Sequence, residues 1–337
     1  MYHGHFNGTH YEVGFRWGTA LRRRGRILLE KLPFFLTEER MEFSRCCLPF
    51  YEFWYPEILE EIRGIANGQE IAVEPLLSFL LGMYCIMPEN RCSCFAFQTE
   101  NNSILARNSD FLTEIENLCM NCIYTLEGAH SFTGNTTAFV EMEDGANEHG
   151  LAIGLTAIWP RILAHGLNAG MLLRYGLEKC KTAEEFIGEL TRLPIASSQT
   201  FTVADHGGSI ALVECNPEKV IVKKPGEAYP FVSAVNSFYC PEMAIYTCTD
   251  IDTWNSEKRF ATIQNAFRDT KTYDMDFAKN LLAGRYGFMC QYDRKTGRDT
   301  VWSVIYDMKC PAVYRCEGNP LRKNFTQDIR FKFSVQP

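Results

Sequence analysis

This chain of 337 residues lacks an excess of basic residues, a long apolar run and any low-complexity tract. It carries 34 Lys and Arg against 41 Asp and Glu, for a net charge of −7. Nucleic-acid binding needs a basic surface, so we expect no nucleic-acid partner. The longest apolar run, residues 76–87, is shorter than the ~20 residues that a membrane-spanning helix needs. We therefore predict a buried helix there and no membrane association.

Several catalytic signatures are missing as well. The sequence has no Gly-x-Gly-x-x-Gly, no phosphate-binding loop of the Walker type, no His-Glu-x-x-His and no Gly-x-Ser-x-Gly. Cofactor-dependent chemistry thus has no motif support, and we expect no cofactor. Cys119-x-x-Cys122 has no second cysteine pair at zinc-binding spacing, so we expect no metal either.

The N-terminus lacks the basic and apolar regions of a signal peptide. This leads us to expect a cytoplasmic location, where the fourteen cysteines would be reduced thiols.

The order of predicted elements indicates an α+β fold. Residues 10–90 are predicted to be mostly helical. Further helices are predicted at 170–190, with a new start after Lys181, and at 256–267. Alternating apolar residues predict strands at 92–98, 103–107, 122–126, 137–141, 151–156, 200–204, 209–214, 219–223, 230–235, 300–306 and 312–316. Such runs of helices and strands fit antiparallel sheets covered by helices. We predict one catalytic domain, residues 92–337, preceded by a helical segment, residues 1–91.

The most informative stretch is a predicted hairpin that begins with Arg91-Cys92-Ser93-Cys94-Phe95-Ala96-Phe97 and returns with Ile104-Leu105-Ala106-Arg107-Asn108-Ser109-Asp110. This register would bring Arg107 and Asp110 beside Cys92. A thiol next to a cation can be a nucleophile, because nearby positive charge favours the thiolate. Cys94 shares the face of Cys92 and is an alternative nucleophile or a core residue, and we favour Cys92 as the nucleophile.

A nucleophilic cysteine also needs a base. A Cys–His protease is one reading, but Cys92 does not open a helix as a papain-type cysteine would. No protease signature surrounds the downstream histidines, His130, His149, His165 and His206. The alternative base is the α-amine of Cys92 itself, which is freed if the Arg91–Cys92 bond is cut. An α-amine has a pKa of about 7.7–8.0, which suits proton transfer from a thiol near neutral pH.

At this hairpin the chain resembles the N-terminal-nucleophile (Ntn) hydrolases. The specific resemblance is to the isopenicillin N acyltransferase (acyl-coenzyme A:6-aminopenicillanic acid acyltransferase) family and its choloylglycine hydrolase/penicillin V acylase relatives. Further stretches resemble motifs of the family in the family's own order: residues 8–14, 60–66, 144–151, 203–214, 235–238 and 256–259. The resemblance implies a four-layer αββα sandwich, preceded by a helical pro-segment that is removed from Cys92 by self-cleavage.

The resemblance also implies roles for individual residues. Cys92 would attack an amide or thioester carbonyl, and Asn236 would donate its side-chain amide to the oxyanion, which is worth about 2.7–4 kcal/mol. Asp110 would hold the new α-amine. Two arginines would lower the pKa of the thiol, Arg107 and Arg259. Asn147 would lie near the substrate.

One departure from the family concerns the cleavage site, residues Arg91 and Cys92. Relatives with a pro-segment often have Gly before the nucleophile, and Gly eases the N→S acyl shift that cuts the bond. Two hypotheses stay open here. The chain is a self-processing amidase or acyltransferase for a small-molecule acyl-amide or acyl-thioester, with hydrolysis of a linear amide favoured. Alternatively, it is a non-processing relative that binds an acyl ligand with residues 1–91 kept as a lid. The sequence leaves the oligomeric state open, a homo-oligomer included.

Overall fold

The fold is built from two β-sheets and two layers of helices. The computed structural model describes residues 1–32, 34–86, 91–226 and 230–335. Its strands are β1 (Tyr2–Gly8), β2 (Arg91–Gln98), β3 (Ser103–Leu112), β4 (Met120–Leu126), β5 (Phe132–Thr136), β6 (Asp144–Asn147), β7 (Leu151–Ala157), β8 (Gln199–Asp205), β9 (Ile210–Asn216), β10 (Lys219–Lys223), β11 (Phe231–Ala234), β12 (Arg298–Asp307), β13 (Ala312–Cys316) and β14 (Thr326–Asp328).

The α-helices fall in three groups along the chain. They are α1 (His10–Arg23), α2 (Glu38–Trp54), α3 (Pro56–Gln69), α4 (Val73–Leu81), α5 (Ala169–Lys179), α6 (Ala183–Leu190), α7 (Ser256–Asp269) and α8 (Met275–Leu282). Short 3-10 helices occupy Leu28–Lys31, Thr113–Leu118, Pro241–Tyr246 and Arg294–Thr296. None of the helices in the described ranges is both long and apolar enough to cross a membrane.

The strands form an eight-stranded sheet, in the order β1-β4-β5-β6-β7-β8-β9-β10, and a six-stranded sheet, in the order β11-β2-β3-β12-β13-β14. Helices α1–α6 contribute to the apolar core on the outer face of the larger sheet. Helices α7 and α8 share a second core with the smaller sheet. A third cluster, rich in alanine, lies between the sheets. The predicted αββα sandwich is therefore confirmed.

The N-terminal part of the chain is built into this sandwich. Strand β1, where no element was predicted, pairs parallel with β4 at the edge of the larger sheet. Buried Arg174 of α5 forms ion pairs with Glu61 of α3 at 2.6 Å and with Glu178 at 2.8 Å. His10 of α1 contacts the same Glu178 at 3.1 Å. Breaking such a buried network costs several kcal/mol, so the residues before Cys92 are held firmly to the body.

Helices α1 and α3 also contact each other through their backbones. A Cβ atom on Gly64 would lie 2.3 Å from the carbonyl oxygen of Tyr11, and one on Gly14 would lie 2.0 Å from that of Glu61. Real Cβ atoms do not approach backbone atoms this closely. Only glycine therefore allows the two helices to pack at this distance.

The strand predicted at 137–141 is wrong. These residues connect β5 to β6, and Phe139 adopts a left-handed backbone conformation with φ 58°. The carboxylate of Glu143 accepts hydrogen bonds from the backbone N–H and the hydroxyl of Thr137, which holds the segment as a turn despite its alternating sequence. Strands β5, β6 and β14 were not predicted.

The helix predicted over the apolar run 76–87 is shorter than expected. Helix α4 ends at Leu81, and the last predicted residue, Met87, lies outside the described residues. The new helix start predicted after Lys181 is confirmed, because the Thr182 hydroxyl caps α6 by accepting from the Glu185 N–H. All fourteen cysteines are free thiols.

The helix contact yields a test of the packing. Gly64→Ala should lower the free energy of unfolding by about 1–3 kcal/mol, because the new methyl group forces the helices apart. Urea unfolding would measure this in a Cys92→Ala background, which removes the thiol chemistry. The matched control is Gly188→Ala in α6, where no atom lies within 4 Å of a Cβ and alanine should be neutral or stabilising. Equal stabilities of the two variants would contradict the proposed contact.

Candidate active site

The hairpin predicted around Cys92 is present, with the expected register. Strands β2 and β3 are antiparallel, and Arg91 lies opposite Asp110, Cys92 opposite Ser109 and Cys94 opposite Arg107. Alternation along β2 directs Cys92 and Cys94 toward the larger sheet. Cys92 is completely buried near the start of β2.

Arg107 is the closest polar partner of the thiol. Its Nη2 atom donates to Cys92 Sγ at 2.8 Å and to Glu143 Oε2 at 3.2 Å. Its Nη1 atom donates to Asp144 Oδ2 at 2.9 Å, and its Nε atom donates to the carbonyl of Leu155 at 2.9 Å. The guanidinium is thus fixed by the larger sheet and pointed at the sulfur, while two carboxylates offset its charge.

Arg107 and Arg259 each lower the pKa of Cys92, as the sequence predicted, but burial outweighs both. Burial raises the pKa of Cys92 to about 12, and Arg107 and Arg259 oppose this only in part. Carboxylates nearby, including Glu143, raise the pKa further. The two arginines therefore do not make Cys92 a thiolate in the intact chain, and the buried thiol is neutral.

Arg259 and Asn236 hold the backbone of Cys92 from the other side. The N–H of Cys92 donates to Asn236 Oδ1 at 2.9 Å, and Asn236 Nδ2 donates to the carbonyl of Ala157 at 2.9 Å. Arg259 of α7 donates to the carbonyl oxygen of Cys92 and, at 3.0 Å, to Asn236 Oδ1. The side chains of Asn236 and Arg259 thereby fix the peptide group on each side of the α-carbon of Cys92.

Asp110 lies at the end of the same hairpin. Its carboxylate is 3.6 Å from Arg259 and accepts hydrogen bonds from Thr300 Oγ1 at 2.6 Å and from the Tyr292 hydroxyl at 3.0 Å. Burial raises its pKa to about 6, although these three partners oppose the shift. The carboxylate is therefore mostly ionised at neutral pH.

Asn147 is the one predicted site residue that the structure does not bring into this group of contacts. Its Nδ2 atom donates to the carbonyls of Leu177 and Cys180, and its Oδ1 atom accepts from the N–H groups of His149 and Leu151. An amide side chain has two donors and two acceptor positions, so these four bonds occupy it fully. These contacts stabilise the β6–β7 turn. The prediction that Asn147 lies near the substrate stays a prediction.

Arg91, the residue directly before Cys92, is anchored by its side chain. Its Nε and Nη2 atoms donate to the carbonyl of Asp252 at 3.1 and 2.9 Å, and its guanidinium lies 6.0 Å from the centre of a Trp254 ring. The side chain is almost completely buried. A residue that breaks the family pattern in sequence therefore has a defined place in the fold.

Sequence reasoning missed several residues around the site. Glu143 and Asp144 contact Arg107 from β6 and the turn before it, and Tyr292 and Thr300 contact Asp110. The sequence did offer one signal, the three acidic residues within 141–144. Carboxylates that are buried in a sheet need a buried cation as a partner. Nothing in the sequence linked that run to Arg107.

Cys94 and a histidine cluster are the other reactive groups to place. Cys94 is completely buried between the sheets, and burial raises the pKa of its thiol to about 12. Among the residues that the structure describes, one group could hold a metal ion, with donor atoms all within 4.8 Å of one another: His130, Glu148 and His149. Glu148 and His149 lie at the β6–β7 turn and His130 lies between β4 and β5, and the group shares no hydrogen bond with the residues around Cys92.

The sequence profile of the family described as acyl-coenzyme A:6-aminopenicillanic acid acyl-transferase matches residues 97–322, more than half of the chain. No match was found among curated protein sequences. A mutant of conjugated bile acid hydrolase from Clostridium perfringens has a similar structure, with a TM-score of 0.51 and 12% identity over 73% of this chain and 95% of that one. This likeness shows the Ntn hydrolase fold.

Two further solved structures resemble the chain more distantly. Penicillin V acylase from Agrobacterium tumefaciens has a TM-score of 0.47 and 15% identity, over 73% of this chain and 100% of that one. The Caenorhabditis elegans ortholog of N-acylethanolamine-hydrolyzing acid amidase has a TM-score of 0.48 and 15% identity, over 65% and 94% of the two chains.

The neutral, buried state of the thiol can be tested by alkylation. At about pH 8, iodoacetamide should label the exposed Cys310 quickly and leave Cys92 of the uncut chain unlabelled, because the reagent needs an accessible thiolate. Digestion after glutamates yields the peptide 90–100 from uncut chain alone, and fragmentation assigns the label to Cys92 or Cys94. Labelling of Cys92 as fast as Cys310 would contradict this account.

Proposed function

Since the chain belongs to the acyl-coenzyme A:6-aminopenicillanic acid acyl-transferase family, we propose that it is a cysteine Ntn enzyme that transfers acyl groups from linear, non-peptide amides. The observation that carries the proposal is the double anchoring of Cys92. Its sulfur accepts from Arg107 at 2.8 Å, and its backbone N–H donates to Asn236 at 2.9 Å. Both the nucleophile and the nitrogen that would become its base are thus held in place.

The first step in this proposal is self-cleavage. Cys92 Sγ attacks the carbonyl carbon of Arg91, the C–N bond breaks, and the departing nitrogen takes up the thiol proton to become an α-amine. Water then hydrolyses the thioester and releases Arg91 as a carboxylate. The α-amine supplies the base that the buried, neutral thiol of the intact chain lacks.

In turnover, the α-amine accepts the proton of the thiol as sulfur attacks the substrate carbonyl. Asn236 would donate a side-chain N–H to the developing oxyanion, and the Asp110 carboxylate would hold the α-ammonium group by charge. The amide C–N bond then breaks and the leaving amine takes the proton. The thioester on Cys92 passes its acyl group to water, which makes the enzyme an amidohydrolase, or to an amine or thiol acceptor.

The N-terminal segment would remain attached after cleavage. A buried ion pair joins Glu61 to Arg174 of α5, His10 contacts Glu178 of the same helix, and β1 pairs with β4. The two products of self-cleavage are therefore expected to behave as one particle rather than as a released propeptide and an enzyme.

A second candidate function is binding without turnover. It is favoured by one observation, the anchoring of Arg91 by the carbonyl of Asp252, which stabilises the uncut arrangement. In that case residues 1–91 would stay as a lid over an acyl-ligand site, and the neutral Cys92 would not react.

An amide panel separates the two candidates. Wild type, Cys92→Ala and Cys94→Ala would be assayed on fatty-acyl, phenoxyacetyl and bile-acid amides, with acid-quenched mass spectrometry to detect an acyl group on Cys92. We expect wild type to hydrolyse at least one amide, Cys92→Ala to lose at least about a thousandfold in rate, and Cys94→Ala to keep most of its activity. Wild type as inactive as Cys92→Ala on every amide, without an acyl adduct, would favour the binding function.

A further inference from the structure

The loop before α7 presents consecutive carbonyl groups to two arginines. The carbonyl of Asp252 accepts from Arg91, and the carbonyls of Thr253 and Trp254 accept from Arg259. Trp254 and the following Asn255 have φ angles of 51° and 59°, in the left-handed region that costs free energy for residues other than glycine. The loop is thus held in a specific conformation that aims its carbonyls at guanidinium groups.

The surroundings of the Arg91 side chain suit a cation in several ways. Two hydrogen bonds from the guanidinium reach one carbonyl, and the Trp254 ring lies at 6.0 Å, within the range of a cation–π contact. The carboxylate of Asp252 lies at the exposed rim, and its pKa is lowered mainly by the Trp254 N–H, with Arg298 and Arg91 contributing. Arg298 pairs with this carboxylate at 2.7 Å and lies 4.8 Å from the Trp254 ring.

This cation-binding surface is tied directly to the nucleophile. Arg259 is held by the same loop and donates to the carbonyl of Cys92. The distance from the thiol to the surface is therefore set by a rigid connection rather than by a flexible segment.

Self-cleavage and substrate turnover share one intermediate, an acyl group attached to Cys92. During self-cleavage that acyl group belongs to Arg91, whose side chain lies against Trp254. A substrate has to place its carbonyl carbon where that of Arg91 was, and its acyl chain then extends toward the same loop once the end of the cleaved segment has moved away.

From this correspondence we infer that the surface formed by the Asp252 carbonyl and the Trp254 ring is the acyl-group subsite of the mature enzyme, and that it selects acyl groups ending in a guanidinium or similar cation. The inference rests on the proposed function, because it requires Cys92 to react with the carbonyl of Arg91. The chemistry is the balanced amide hydrolysis given above: sulfur bonds to the acyl carbon, the amine leaves with a proton, and water cleaves the thioester.

Two matched amides test the selectivity. Nα-acetyl-arginine 4-nitroanilide and Nα-acetyl-citrulline 4-nitroanilide have almost the same shape, but only the first carries a charge. We expect kcat/KM to be at least about tenfold higher for the arginine compound. A Cys92→Ala sample prepared in the same way corrects for contaminating proteases.

Variants of Trp254 connect the selectivity to the loop. Trp254→Asn removes the ring, and asparagine tolerates the left-handed conformation better than most residues. We expect it to reduce the arginine-to-citrulline ratio to about one to three, while Trp254→Phe keeps most of the ratio because it retains an aromatic face. The ratio is informative because partial unfolding would lower both rates equally.

Arg298 gives a test in the opposite direction. Its guanidinium contacts the Trp254 ring and the Asp252 carboxylate. Arg298→Gln therefore removes a competing cation and should raise the arginine-to-citrulline ratio. A ratio that falls or stays constant in Arg298→Gln would count against the assigned subsite.

The outcomes separate this inference from the proposed function. Equal rates on the two anilides, or turnover of other amides but neither anilide, would overturn the cation subsite and leave the enzyme assignment intact. Absence of turnover and of Cys92 acylation with every amide, the fatty-acyl, phenoxyacetyl and bile-acid compounds included, would overturn both.

Discussion

The hydrogen bond from Arg107 to Cys92 is the contact on which the rest of the site depends. A guanidinium buried between two sheets has to be neutralised, because an unpaired charge there would be prohibitively costly. Glu143 and Asp144 supply the opposite charge. Asp144 in turn accepts from Trp302 and Tyr306 of the smaller sheet, so that one network positions the thiol and joins the two sheets.

The same network explains which parts of the site could be predicted. The hairpin of Cys92 and Arg107 follows from strand alternation and a short turn, which are local in sequence, and its register was correct. The partners Glu143 and Asp144 come from another sheet, and no local pattern predicts that contact. Arg107 and Arg259 lower the pKa of Cys92, as predicted, but the sequence does not display burial, which outweighs them. Likewise, residues 137–141 do not form the predicted strand, because Thr137 donates hydrogen bonds to the Glu143 carboxylate and the segment is held as a turn.

In the proposed mechanism, Arg91 would link self-cleavage to substrate specificity. A glycine at this position would favour bond cleavage through its flexibility, whereas Arg91 is fixed by a loop that also holds Arg259. Anchoring has two consequences with opposite effects on cleavage: it stabilises the uncut chain, and it fixes the carbonyl group beside the thiol. If Cys92 attacks the carbonyl of Arg91 as proposed, the bound Arg91 side chain would serve as a template for the acyl groups of later substrates.

The most direct test of the central claim is the intact mass of freshly purified wild type under denaturing conditions, followed over time at neutral pH beside Cys92→Ala. Wild type should give two masses, for residues 1–91 and 92–337, which together exceed the mass of the uncut chain by one water. Cys92→Ala should stay a single chain of 337 residues. A wild-type sample that remains one uncut chain throughout would contradict the claim that Cys92 is a latent N-terminal nucleophile.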